Sequence, residues 1–109
     1  YHFVFVDMNG HLAGYACYGP VPMTASAFDL YWIVVAPDSQ GKGIGRMLLL
    51  ETERLIRRAG GTTVYAETSG RPQYESTRAF YERVGFRQEA LLKDFYAPGD
   101  SKVIYSKPL

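Results

Sequence analysis

Glycine recurs at every second position in Val35-Ala36-Pro37-Asp38-Ser39-Gln40-Gly41-Lys42-Gly43-Ile44-Gly45-Arg46, between an apolar run at Leu30 to Ala36 and a long stretch of helical periodicity. Alternate glycines free successive backbone N–H groups of Cβ obstruction, and a helix starting near Gly43 adds the positive end of its dipole. The layout therefore predicts a strand, a turn and a helix whose N-terminus holds an anionic, phosphate-bearing ligand largely by main chain. Two familiar glycine loops do not fit. A triphosphate loop ends in Gly-Lys-Ser/Thr, whereas Gly45 is followed by Arg46-Met47. A dinucleotide fingerprint starting at Gly43 would need glycine where Leu48 stands.

The 109 residues suit one domain, with roughly two thirds of the unfolded surface buried at that length. Twelve basic and 11 acidic residues nearly cancel, and no basic run interleaves with aromatics, which argues against nucleic acid or an anionic membrane as partner. One cysteine, Cys17, and two histidines, His2 and His11, give neither an internal disulfide nor a recognisable metal-ligand spacing. The longest apolar runs fall well short of the ~20 residues of a membrane span, and no signal-like segment opens the sequence. A metal-free cytoplasmic protein is the expectation.

Residues 2–7 and 11–18 flank Asn9-Gly10 and read as a hairpin; a third strand is expected over 28–35. The helix from Ile44 to Ala59 is expected to bury Ile44, Met47, Leu48, Leu55, Ile56 and Ala59, and Gly60-Gly61 stops it. A strand over 62–68 precedes a second helix from about Gln73 to Val84, with Thr77, Phe80, Tyr81 and Val84 inward. Strands at 86–96 and 102–107 close the chain around Ala97-Pro98-Gly99-Asp100. The order β-β-β-α-β-α-β-β implies an α+β fold with a mixed, mostly antiparallel sheet and a parallel crossover from Phe28 to Thr68.

Two segments together point to a family. Gln40, Gly43 and Gly45 form Gln-x-x-Gly-x-Gly after the Val-x-Pro of Val35 and Pro37, and Tyr81 to Phe86 form Tyr-x-x-x-Gly-Phe at a helix end. The pair resembles the coenzyme A loop and second signature of the GCN5-related N-acetyltransferase (GNAT) superfamily, and the likeness covers essentially the whole chain. It implies the acyl-CoA N-acyltransferase-like fold in a single domain over 1–109. The chain reads as an amino-terminally truncated fragment, without the first strand and helices that wall the acceptor site in relatives.

The resemblance further implies acetyl-CoA as cosubstrate, no metal, and transfer to a primary amine by direct attack in a ternary complex. The backbone of Gln40, Gly41, Lys42, Gly43, Ile44, Gly45 and Arg46 is then the pyrophosphate cradle. The pantetheine arm and thioester lie along Ile33, Val34 and Val35, where a backbone N–H near Ile33 polarises the carbonyl. Tyr81 takes the position of the general acid, with a core tyrosine as the plain alternative. Tyr74 stands where relatives carry an asparagine that binds the coenzyme arm.

Asp29, eleven residues before Gln40, has the spacing of a catalytic carboxylate in some relatives, and simple alternation sets it on one face with Tyr31 and Ile33. A solvated strand-end aspartate, Glu67 on the next strand, and water are the alternatives for the base. Cys17 reads as an ordinary buried thiol. The partners implied are a small-molecule or peptide amine acceptor, with a homodimer left open. A non-catalytic acyl-CoA sensor is the rival reading from another class.

Overall fold

The turn at Asn9-Gly10 has φ of 52° and 79°, the left-handed pair that a two-residue hairpin requires, and it joins β1 (His2–Met8) to β2 (His11–Pro20). The structure, a computed structural model, describes residues 1–109. After β2 come β3 (Ala27–Val35), α1 (Ile44–Arg58), β4 (Thr63–Ser69), α2 (Glu75–Arg83), β5 (Arg87–Ala97) and β6 (Asp100–Pro108). The fold is α+β, and its six strands run in the order β1-β2-β3-β4-β6-β5. Two short 3-10 turns, Pro37–Ser39 and Pro72–Tyr74, precede the helices, so the second helix starts later than its periodicity suggests. The backbone divides within β4 into two compact units, residues 1–64 with Leu109, and residues 65–108. No helix is long and apolar enough to cross a membrane.

In the first unit β2 lies between antiparallel β1 and β3, and α1 packs on all three. The helix face that seals the sheet is Ile44, Leu48, Leu49, Thr52, Glu53 and Ile56. This corrects the expected stripe: Met47 is half exposed and Ala59 lies on the surface, while two polar residues take inward positions. Thr52 tolerates burial because its hydroxyl donates to the Leu48 carbonyl at 2.8 Å, and the Glu53 carboxylate lies 3.8 Å from Arg57. The helix ends as expected of Gly60-Gly61: the Gly61 N–H reaches back to the Ile56 carbonyl and the Gly60 N–H to that of Arg57, the two bonds of a Schellman cap.

β3 is not regular. Leu30 pairs with Tyr18 and Trp32 with Cys17, leaving Tyr31 as an extra residue, a β-bulge. Paired residues share a face, so Phe28 and Leu30 face α1 before the bulge and Ile33 and Val35 do so after it. Asp29 and Trp32 lie on the opposite face. The expected grouping of Asp29 with Ile33 is therefore wrong: one inserted residue reverses the alternation. That opposite face is aromatic, with Phe3, Phe5 and Trp32 partly exposed and the Tyr15 ring 6.2 Å from that of Phe5.

In the second unit β5 and β6 form a long antiparallel hairpin, turned by Pro98-Gly99 and irregular between Leu92 and Ala97, where Asp94 takes a φ of 57°. Its Oδ1 accepts a hydrogen bond from the Gly99 N–H at 2.8 Å, which ties the irregular stretch to the turn. Of the four α2 positions expected inward, Tyr81 is buried apart from its tip and Thr77, Phe80 and Val84 are half-buried.

Candidate functional site

In the first unit the chain leaves β3 at Val35, makes the turn Pro37–Ser39, and enters α1 through Gln40 to Gly43. Gly41 and Gly43 both have φ of 78°, a conformation costly for other residues, yet nothing lies within 4 Å of a Cβ built on either. Crowding within the protein is thus not what calls for glycine here. Gly43 is the N-cap of α1, no side chain caps the helix, and no acidic residue lies in its first turn. The leading N–H groups thus have no side-chain acceptor, and Lys42 and Arg46 stand exposed beside them. Ile44 is buried to 2% exposure and anchors the loop to the core. Gln40 turns back, its Nε2 3.5 Å from the Val35 carbonyl, at the outer limit of a hydrogen bond. Such a loop suits an anion with several oxygens.

The other residues expected on this side belong to β3. Ile33, Val34 and Val35 pair with Ala16, Tyr15 and Gly14 and lead directly into the loop, so the strand end and the cradle are continuous. Asp29 sits farther back, half-buried, opposite Gly19. Its charge, after burial, helps to push the Tyr31 hydroxyl above the ordinary tyrosine range. Cys17 is fully buried and burial raises its thiol, which makes it a poor nucleophile.

In the second unit, Tyr81 owes its place to the end of α2. The Phe86 N–H bonds the Tyr81 carbonyl at 2.9 Å, the Gly85 N–H reaches that of Glu82 at 3.3 Å, and Gly85 has a φ of 103°. This is again a Schellman cap, whose usual apolar contact is here the Tyr81 and Phe86 rings, 5.2 Å apart. The Tyr-x-x-x-Gly-Phe spacing is therefore a capping rule that fixes a tyrosine ring. Tyr105 packs on the ring at 5.7 Å. Burial pushes the Tyr81 hydroxyl up to about 12, so it is protonated at neutral pH. No buried polar side-chain atom lacks a hydrogen-bond partner, and the Tyr81 hydroxyl bonds no protein group, so its tip meets solvent.

Tyr74 and Glu67 line a cavity of about 460 Å³ with Ser69, Arg71, Tyr96 and Asp100. Ser69 donates to Asp100 Oδ1 at 2.5 Å, Arg71 Nε lies 3.4 Å from Asp100 Oδ2, and Lys102 meets Glu67 Oε2 at 2.7 Å. Arg78 clamps the turn beneath by donating to the Ser69 and Arg71 carbonyls at 2.8 and 2.9 Å. Of these the sequence marks only Asp100, as part of the Ala97-to-Asp100 turn; Ser69, Arg71 and Tyr96 are not singled out by it. They come from two segments, the end of β4 and the β5–β6 turn, some thirty residues apart, and no spacing links one segment to the other. No cluster of three or more His, Cys, Asp or Glu could hold a metal ion.

The family model described as Acetyltransferase (GNAT) domain matches residues 1–88. The N-alpha-acetyltransferase RimI of Mycobacterium tuberculosis is 35% identical over 96 residues, covering 87% of this chain and 58% of the relative. The [ribosomal protein bS18]-alanine N-acetyltransferase of Escherichia coli K12 is 30% identical over 97 residues, 89% of this chain and 62% of the relative. The chain thus spans about three fifths of the length of these curated relatives. A crystal structure of a GNAT-family protein from Desulfovibrio desulfuricans superposes with a TM-score of 0.96 at 53% identity, over 98% of this chain and 68% of that one.

Proposed function

Because the chain belongs to the GNAT acetyltransferase family, we propose that it moves an acetyl group from acetyl-CoA to a primary amine by direct attack. The observation that carries the reading is the uncapped N-terminus of α1 behind two left-handed glycines, with no acid in its first turn. The N–H groups from Gly41 to Arg46 bind the pyrophosphate, while Ile33, Val34 and Val35 offer backbone to the pantetheine arm and a donor to the thioester carbonyl. Acetyl-CoA supplies an activated acyl group whose thiolate, with a pKa near ~8.5, leaves readily. Tyr81 keeps its proton at neutral pH and donates it, or a hydrogen bond, to the departing sulfur.

The acceptor sets the demand on the base. At pH 7 a lysine-like amine of pKa ~10.4 costs about 4.6 kcal/mol to deprotonate, whereas an α-amine of ~7.7–8.0 costs about 1–1.4 kcal/mol. The relatives are described as N-alpha- and alanine N-acetyltransferases, which supports an α-amine here. Asp29, Glu67 or water then suffices as base, because little proton affinity is needed. A panel of amines assayed for acetyl-CoA turnover, beside calorimetry of coenzyme A binding, tests the reading. Turnover with loss of coenzyme A binding in Gly43→Asp supports it; binding without turnover of any amine makes the chain an acyl-CoA sensor.

A further inference from the structure

The cavity between the end of β4, the turn Pro72–Tyr74 and the tip of the β5–β6 hairpin has walls without Ala, Val, Leu, Ile or Met. It offers carboxylate, guanidinium, amide, hydroxyl and phenol groups, so its occupant is polar. Its charges are sorted. Both oxygens of Asp100 are engaged, Oδ1 by Ser69 and Oδ2 by Arg71. Glu67 meets Lys102 through Oε2, leaving Oε1 for a further donor. Arg71 touches Asp100 through Nε, and no hydrogen bond takes up its Nη groups. One wall thus presents a carboxylate oxygen and another a guanidinium face, with Tyr74 and Tyr96 both partly exposed beside them. A lone cation gains at Glu67 but loses against Arg71 and Lys102; a lone anion meets the reverse. A group that places a positive charge next to an acceptor oxygen satisfies both.

On the reading of the chain as an amine acetyltransferase, we propose that this cavity receives the α-amino acid unit of the acceptor. The amine lies toward Glu67, and the adjoining carboxylate or peptide carbonyl is read by the Nη groups of Arg71. Arg71 is then a specificity-determining residue, and amines without a neighbouring acceptor oxygen are poor ligands.

Arg71 is about half exposed, and the largely covered Asp100 keeps its hydrogen bond from Ser69 when the guanidinium is removed, so Arg71→Gln is expected to fold, which its NMR spectrum checks. The test is an NMR titration of the coenzyme A-saturated protein with L-alanine, L-alanyl-L-alanine and ethylamine. The wild type is expected to bind at least one alanine compound about tenfold more tightly than ethylamine, the scale of a charge-assisted contact. Arg71→Gln removes the preference by weakening the alanine ligand alone, and Arg71→Lys restores part of it. Tighter binding of alanine identifies a free amino acid, and of the dipeptide a chain terminus; both support the proposal. Equal binding of all three by wild type, no binding of any, or a uniform loss in Arg71→Gln overturns it. Turnover of the same three amines, with acetyl-CoA supplied in place of coenzyme A, separates the two readings. Discriminating binding without acetylation leaves the subsite standing and sinks the transferase, whereas equal binding and acetylation of ethylamine and alanine does the opposite.

Discussion

Replacing Gly43 separates what the loop does for the fold from what it does for a ligand. The residue sits at φ 78° and ψ 13°, so any Cβ brings left-handed strain of about 1–2 kcal/mol, but with nothing within 4 Å it brings no clash. Gly43→Ala should therefore lower stability by about 1–2 kcal/mol, roughly 5–15 °C in Tm for a chain this short. Gly43→Asp should lose less, because aspartate tolerates the left-handed region better and a carboxylate beside an uncapped helix N-terminus returns about 0.3–1 kcal/mol. Affinity should follow the opposite order. A carboxylate about 4 Å from a diphosphate charge costs about 4 kcal/mol at an effective dielectric of 20, roughly 10³-fold in Kd, whereas alanine brings only its methyl group. Thermal denaturation and calorimetry with coenzyme A read the two orders. A Gly43→Asp protein that is folded and binds coenzyme A within twofold of wild type would refute the anion cradle. Equal ranking of the variants in both assays would show that the loop acts only through the fold.

Tyr81→Phe should leave coenzyme A affinity near wild type and lower kcat by roughly 10²-fold; an unchanged rate of acetyl transfer in single-turnover experiments would return Tyr81 to a packing role. Because its hydroxyl is held at about 12, the wild-type pH–rate profile should show no falling limb from this residue below about pH 11, and a limb near pH 9 that disappears in Tyr81→Phe would contradict that. The same shift has a stability consequence: folding favours the neutral phenol, so the contribution is whole below pH ~10 and fades as pH rises to about 12, by up to about 2.7 kcal/mol. Urea denaturation between pH 9 and 12 should show a shallower alkaline decline in Tyr81→Phe than in wild type. If Asp29 takes the amine proton, Asp29→Asn should depress kcat/KM most at neutral pH and recover with rising pH for a lysine-like amine but little for an α-amine; parallel profiles for both acceptors would count against it.

Local chemistry made much of this chain legible. Asn9-Gly10, Pro98-Gly99 and Gly60-Gly61 each dictate a turn or a stop from adjacent residues, so both hairpins and the end of α1 fall within a few residues of expectation. The strand, turn and helix around the glycine loop were equally readable, and α1 starts at Ile44, as its periodicity implies, behind Gly43 as N-cap. Failures occurred where distant segments decide. The bulge at Tyr31 depends on how β3 meets β2, and nothing in Leu30-Tyr31-Trp32 announces it. Thr52 and Glu53 are buried because the sheet lies under that part of α1, whatever their polarity. Tyr74, Glu67 and the Ala97-to-Asp100 turn were marked separately, but their meeting in one cavity was not legible, because the Gly70 N–H bonds the Ser101 carbonyl at 2.9 Å and so sets Ser69 and Arg71 beside Asp100 across some thirty residues of sequence.

The bulge also bears on which mechanistic assignments stand together. A backbone N–H lies in the plane of the sheet, so the donor role proposed for Ile33 does not depend on which face its side chain takes. A carboxylate base does depend on it. Asp29 lies on the aromatic face with Trp32, opposite to Ile33, so alternation no longer argues for Asp29 as the partner of that donor. Glu67 instead lines the polar cavity with Arg71 and Tyr74, where one of its oxygens meets Lys102. For an acceptor whose amine needs only about 1–1.4 kcal/mol to deprotonate at pH 7, a carboxylate that orients the amine contributes more by position than by basicity. Glu67→Gln should then raise KM for an α-amine more than it lowers kcat, with little recovery at high pH. A fall in kcat that alkali restores would make Glu67 the base itself.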